Sequence, residues 1–386
     1  MRLRSTATFA LAAALGLGCA APAATSPKPS APAARPAGPT VEVPSMVVSP
    51  YSEAELAVDF EKARAKLLAG KPREAAEAFE RIARLAPDSA LLAPPSLLDA
   101  GIAHEELGER DTALDRYRDL AKRFPAHETA KSALLRSARL LAYLERWGEL
   151  AALAGDLASR ADLTVLEAIE ARGQRALGLV EAGRLDDAQK AVMDARDLVE
   201  QNHLGEAGKP PIELAVVFFA LGEVRKKRSE QVTFAPLPPS FTDALEQRCQ
   251  GLLDAQAAFS DAMRSLDAHW SAMAGYRVGQ LYQQLHHDVM AIAPPGKADT
   301  LRKKQLFEGA MRLRYRVLLE KGLKMMDATV RLGERTGESS RWVARAEEAK
   351  RDLERALADE KAALARLPFS EAELQAALDG LAAKKP

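Results

Sequence analysis

The sequence predicts an all-α solenoid of helix-turn-helix repeats whose helices lengthen in the C-terminal half. Gly70, Ala75, Phe79 and Pro87 recur as Gly108, Ala113, Tyr117 and Pro125 with identical spacings of five, four and eight. Aromatic residues make up only 5% of a chain dominated by Ala, Leu, Glu and Arg, which is a helical composition. Apolar residues fall at helical spacing over long segments, and no stretch alternates with period two for long enough to make a sheet.

The elements follow in chain order. Arg2 and Arg4 precede an apolar run from Ala7 to Gly18 that ends on Cys19. Its twelve residues are too few to span a bilayer, so the run is a processing signal. Residues 1–18 resemble a bacterial lipoprotein signal peptide with Cys19 as the lipidated residue, and Gly16 and Leu17 stand where that pattern usually has Leu and a small residue. An ordinary secretory signal is the alternative, and in both cases the mature chain works outside the cytoplasm. Residues 19–50 are expected to be a disordered tether. Eight prolines lie between residues 20 and 50 amid Ala, Ser and Thr, with too little apolar surface to offset the entropy of ordering. Stretched as polyproline helix at about 3.1 Å per residue, it reaches on the order of 90 Å.

A repeat domain is expected over residues 51–233. In the units 56–87 and 94–125 the Gly serves the turn between two antiparallel helices and the Ala marks their closest approach. The aromatic residue fills space beneath the next unit, and the Pro cannot continue the second helix. Residues 131–159 keep the two-helix pattern with Trp147 and Leu150, residues 169–202 restore Gly183 and Ala188, and a further unit starts at Ile212 with Leu221-Gly222 in its first helix. The proline-rich stretch from Phe234 to Pro239 reads as a break over 234–240, ahead of a C-terminal helical domain over 241–386. Helices are expected there at 241–267, 270–291, 299–332, 338–366 and 370–382, the fourth with a packing stripe of Trp342, Ala346, Ala349, Leu353, Leu357 and Leu364. The Gly, Ala, aromatic and Pro spacing resembles the tetratricopeptide repeat (TPR), with Gly101 at the small position of the second unit's first helix. Such TPR-like pairs stack into a superhelix whose concave surface is lined by the first helix of each unit.

Charge and cysteine content exclude several functions. The chain has 54 basic and 54 acidic residues, and losing Arg2 and Arg4 leaves 52 against 54, so no bulk charge draws nucleic acid or anionic lipid. With Cys19 lipidated, Cys249 has no partner in the chain and is expected to be buried on the stripe Phe241, Leu245, Cys249, Leu252, Phe259, Met263, Leu266. His286-His287-Asp288 is the only histidine cluster, and adjacent helical side chains diverge by about 100°, so it reads as helix surface. Arg312, Arg314 and Arg316 are expected to pair with acidic residues of neighbouring helices, such as Glu308 and Glu320 at helical spacing. The sequence holds no phosphate loop and no nucleophile elbow, so no catalysis, metal, cofactor or small-molecule substrate is expected.

Protein binding is the role that remains. The repeat resemblance places groove positions at Phe60, Arg64 and Leu67, then Leu98, Ile102 and Glu105, then Arg136, Arg139 and Tyr143. Their mixture suits an extended peptide or a partner helix with an acidic flank. Arg136 and Arg139 are the sharpest candidates, whereas packing between repeats explains Leu98 and Ile102 equally well. Reversing both arginine charges is expected to weaken partner capture without unfolding the array. The Lys/Asn clamp by which some relatives hold a C-terminal carboxylate is absent.

From Trp270 through Tyr276-Arg-Val-Gly-Gln-Leu-Tyr282 and Ala293-Pro-Pro295 to Tyr315-Arg-Val-Leu-Leu-Glu-Lys-Gly322 and Trp342, the chain resembles repeat-containing envelope lipoproteins of gliding bacteria. These include components of the adventurous gliding motility machinery. That resemblance implies a non-enzymatic, lipid-anchored scaffold that holds together envelope proteins of a trans-envelope complex. Ala20 after the lipid cysteine implies sorting to the outer membrane, with the folded part in the periplasm. Assembly of outer-membrane barrel proteins and support of a cell-wall enzyme are the alternatives.

Overall fold

The computed structural model describes residues 51–382 apart from 206, 207, 209, 237, 295 and 297, so the expected signal, Cys19 and tether lie outside the described residues. The described residues form α-helices and no strand. The helices are α1 (Glu53–Leu68), α2 (Pro72–Leu85), α3 (Ala93–Glu106), α4 (Arg110–Arg123), α5 (Glu128–Tyr143), α6 (Trp147–Ala158) and α7 (Val165–Glu181). They continue as α8 (Leu185–Gln201), α9 (Leu214–Glu230), α10 (Phe241–Arg264), α11 (Ala268–Met290), α12 (Leu301–Thr336), α13 (Arg341–Ala365) and α14 (Glu371–Ala382). The helices lengthen toward the C-terminal half as expected, and α12 runs for 36 residues. No helix among the described residues is long and apolar enough to cross a membrane.

Each helix from α1 to α12 packs on its successor, and the odd-numbered helices α1 to α13 also touch one another in sequence. Among the even-numbered helices of the described residues only α12 and α14 touch in this way. The layer whose members meet is the more tightly curved one, so the odd helices line the inner face of an α-solenoid. This is the expected placement of the first helix in each pair.

Local signals account for the helix ends. Ser52 with Glu55, and Thr164 with Glu167, form capping boxes that satisfy orphan N–H groups at the starts of α1 and α7. Pro72 occupies the first turn of α2, where its missing N–H costs no helical bond. Gly70, Gly108 and Gly183 take left-handed φ values of 71°, 76° and 77° in the turns between paired helices. Glu145 holds the same place in the third turn with φ 58°. All four turns share one hydrogen-bond pattern, as in Gly108 N–H to the Glu105 carbonyl and Glu145 N–H to the Ala142 carbonyl.

The repeated residues pack as their spacing requires. Ala75, Phe79, Ala113 and Tyr117 are fully buried, and a Cβ on Gly101 would collide with the Tyr117 ring. The third unit inverts the small and large positions, with Leu150 where the others have Ala and Ala154 where they have Phe79 or Tyr117. The two changes offset in volume, which explains how that unit keeps the helix spacing.

The main core runs without interruption from Leu97 through α9 to Trp342. Helix α9 is buried along most of its length, and it pairs with α10 across the proline-rich stretch through Phe219 and Phe259, whose rings lie 5.4 Å apart. Along α13 Trp342, Ala346 and Leu353 are buried, so that stripe packs as expected.

Three expectations are corrected here. Cys249 is only half-buried, Leu266 is 69% exposed, and the neighbouring Arg248 is the buried residue, donating to Ser229 Oγ at 2.7 Å and to Asp288 at 3.2 Å. Helical periodicity names the face but not how deeply the next helix covers it. His286 is likewise buried and not on the helix surface, and its desolvation disfavours the charged form. Of the basic run on α12, Arg316 pairs with Glu320 at 3.1 Å and Arg312 reaches an acid of a neighbouring helix, Glu360 of α13, at 2.7 Å, both as expected, whereas Arg314 lies over Tyr315 and not against an acid.

Candidate functional site

The nine expected groove positions lie on α1, α3 and α5, three consecutive members of the inner layer. On α1, Phe60 packs on Phe79 with ring centroids 5.4 Å apart and Leu67 joins the same apolar cluster, so both serve the packing between repeats. Arg64 is exposed, 3.5 Å from Glu61 of its own helix. On α3, Leu98 packs against the main core and Ile102 is half-buried. Glu105 accepts hydrogen bonds from Arg136 of α5 at 3.1 Å and from the Tyr117 hydroxyl.

The two arginines singled out by the sequence are not free cations. Arg139 forms a fork on Glu170 of α7, with Nε donating to one carboxylate oxygen at 2.5 Å and an η nitrogen to the other at 2.6 Å. Glu170 holds the guanidinium firmly in its charged form. Glu105–Arg136 and Arg139–Glu170 therefore bind α3 to α5 and α5 to α7. Both pairs span 31 residues of chain, about one repeat.

Glu105, Arg139 and Tyr143 meet at a cavity of about 410 Å³, completed by Arg110, Leu140, Glu170, Ile212, Glu213, Asp267, His269 and Trp270. Arg110 lies 3.7 Å from the Tyr143 ring centroid, and the His269 ring stacks on Tyr143 at 4.4 Å. Two groups so close to one centroid cannot share a face, so Tyr143 is sandwiched and is fixed as wall rather than open as a stacking platform. Burial raises the pKa of its hydroxyl. His269 also approaches Glu338 at 3.5 Å, and Ser340 N–H donates to the same carboxylate at 3.0 Å. The His269 contact is the larger cause that brings Glu338 down to about 2.

Arg64, Leu67, Leu98, Ile102 and Arg136 line no part of this cavity. Of the residues that sequence reasoning missed, Arg110 and Leu140 come from α4 and α5, and the others come from farther along the chain: from α7, from the segment before α9, and from the start of α11 with the residue before it. One signal for Glu170 was available: an acid one repeat after a groove arginine. Nothing local marks Ile212, Glu213 or His269.

Among the described residues no group of three or more His, Cys, Asp and Glu side chains could hold a metal ion. The arrangement offers paired charges, an aromatic wall and accessible apolar surface, which are the elements of a binding site. The fold and groove together define a TPR-like repeat solenoid. A sequence profile of the tetratricopeptide repeat matches residues 96–127, across α3 and α4. No curated protein matches the chain.

Solved structures with similar folds include a tetratricopeptide repeat protein from Parabacteroides merdae, 13% identical, covering 77% of this chain and 99% of that one with a TM-score of 0.43. A crystal structure of nearly identical TPR-like repeats, described as a kinesin light chain of Podosopora anserina, is 14% identical and covers 55% and 98% with a TM-score of 0.38. A monomeric mutant of IFIT1 with Gppp-AAAA is 13% identical and covers 78% and 71% with a TM-score of 0.39. At such identities none of them transfers a function to this chain.

Proposed function

We propose that the protein is a non-catalytic scaffold that captures a segment of a partner protein on the inner face of the solenoid. One observation carries this: the inner helices bring charged, aromatic and exposed apolar side chains together around a single open cavity between α3, α5 and the start of α11. Curved stacks of helix pairs present extended surfaces suited to such capture. We further propose that a lipid on Cys19 holds the chain at the outer membrane and that residues 19–50 let the folded part reach envelope partners in the periplasm. Arg2, Arg4 and the apolar run before Cys19 support the anchor, and the proline content supports the tether. The resemblance of Trp270 to Trp342 supports a trans-envelope complex of the gliding machinery as the setting.

Cross-linking of the tagged full-length protein in living cells, followed by mass spectrometry of solubilised envelopes, tests the proposal. Motility-complex subunits are the expected yield. Recovery of the barrel-assembly machinery or of a cell-wall enzyme would replace that setting. Radiolabelled lipid that enters Cys19→Ser as well as the wild type would overturn the anchor.

A further inference from the structure

What enters the cavity is legible from its unmatched charge, given the groove reading above. Its wall carries four carboxylates, Glu105, Glu170, Glu213 and Asp267, against two guanidinium groups, Arg110 and Arg139. Both guanidinium groups are engaged, Arg139 by Glu170 and Arg110 by the Tyr143 ring. Glu105 is held by Arg136 and Tyr117, and Asp267 caps α11 by accepting from the Trp270 N–H at 2.8 Å. Glu213 is different. It makes no hydrogen bond or ion pair among the described residues, attracts Arg139 only at longer range, and caps nothing at the start of α9. The preceding residue, Ile212, is 51% exposed although it lines the same cavity.

An acidic group that no hydrogen bond or ion pair engages, next to accessible apolar surface, is complementary to a side chain with an aliphatic stem and a cationic head. We infer that the cavity receives a lysine or arginine side chain from an extended partner segment, its stem against Ile212, Leu140 and Trp270 and its head at Glu213 and Asp267. This reverses the acidic flank expected from the sequence, because the groove arginines are already bound by acids of neighbouring repeats. A second cavity of about 490 Å³, at the ends of α9 and α11, has no carboxylate left without an ion pair. There Lys226 pairs with Glu230 at 2.9 Å and Asp288 with Arg248 at 3.2 Å.

Two displayed peptide libraries test the assignment, with the same randomised apolar positions and a fixed central residue that is basic in one and acidic in the other. Both are selected on the immobilised full-length protein, and selected peptides are titrated by fluorescence anisotropy at low and high salt. Enrichment of the basic library is expected, with affinity falling about fivefold or more in Glu213→Gln and again at high salt. Asp267→Asn, which retains a capping side chain, is expected to weaken the same peptides, and circular dichroism and melting verify that both variants fold. Enrichment of the acidic library, or basic peptides indifferent to both substitutions, overturns the charge assignment and leaves the inner face as a protein-binding surface. Enrichment of neither library overturns both.

Discussion

Glu145, in the turn between α5 and α6, accepts a hydrogen bond from the Arg345 guanidinium of α13 at 2.9 Å, across 200 positions of chain. Arg341 stands 3.4 Å from the same carboxylate oxygen. Where the other three turns use glycine, this one places a charged residue at a left-handed φ, at a backbone cost of about 1 kcal/mol. The carboxylate thereby ties the third helix pair to the far end of the solenoid. Beside the clamp, Arg345 lies 4.5 Å from the ring of the buried Trp342, and Arg277 of α11 lies 5.1 Å from that ring while pairing with the buried Glu223 at 2.6 Å.

Replacing Glu145 separates backbone cost from clamp. Glu145→Gly loses the ion pairs but gains conformational freedom, and its stability should stay within about 1 kcal/mol of the wild type. Glu145→Ala loses the pairs and keeps the backbone cost, so it should lose about 1–2 kcal/mol. Urea unfolding compares them, and equal stability of the two variants would refute the strain assigned to this turn.

Two glycines of adjoining helices should respond in opposite directions. A Cβ on Gly178 of α7 would come within 2.8 Å of Ala151 backbone atoms, which cannot turn aside, so Gly178→Ala should cost about 1–3 kcal/mol. Gly155, inside α6, has nothing within 4 Å of that position, and Gly155→Ala should stabilise by about 0.5–1 kcal/mol. Thermal melts of both decide the matter. A stabilised Gly178→Ala would contradict the close approach of α6 and α7.

The fork between Arg139 and Glu170 alters what charge reversal will do. Arg139→Glu sets a second carboxylate against Glu170, whose side chain is 8% exposed, and should cost about 1–3 kcal/mol; the half-exposed arginine keeps the loss below that of a fully buried pair. The exchange of both residues, Arg139→Glu with Glu170→Arg, should recover most of it. A single variant that melts like the wild type would show that the fork adds no stability, and loss of peptide capture could then be assigned to the groove alone.

Glu338 makes acid stability a readout of the α12–α13 turn. Its folded pKa lies near 2 against an ordinary 4.5, with the His269 contact as the main cause. A lowered carboxylate pKa stabilises the folded state fully above the ordinary value, and the contribution is lost as pH falls from about 4.5 toward 2. Glu338→Gln should therefore flatten the stability curve across that window in denaturant titrations. Coincident curves for variant and wild type would mean that the carboxylate has no such partner in solution.

The turn glycines, the buried Ala75 and Ala113 with their aromatic companions, and the helix stripes were legible from spacing alone. A turn's dihedral angles and the volume between two paired helices are set within one repeat, so a short window of sequence contains the whole cause. Glu105, Arg139 and Tyr143 were legible as inner-face positions for the same reason. Their chemistry was not, because Glu170, Glu213, His269 and Trp270 arrive from other repeats and turn a groove that reads as basic into one with an acidic remainder. Arg248 and His286 show the same limit in the core: periodicity assigns a face, and only the neighbouring helix decides whether that face is covered. The sequence by itself thus determined the all-α class, the repeat and the inner layer. The tertiary structure decided the charge of the cavity and the meeting of Glu145 with Arg345, because both depend on small rotations between successive helix pairs, summed along the solenoid, that no single repeat encodes.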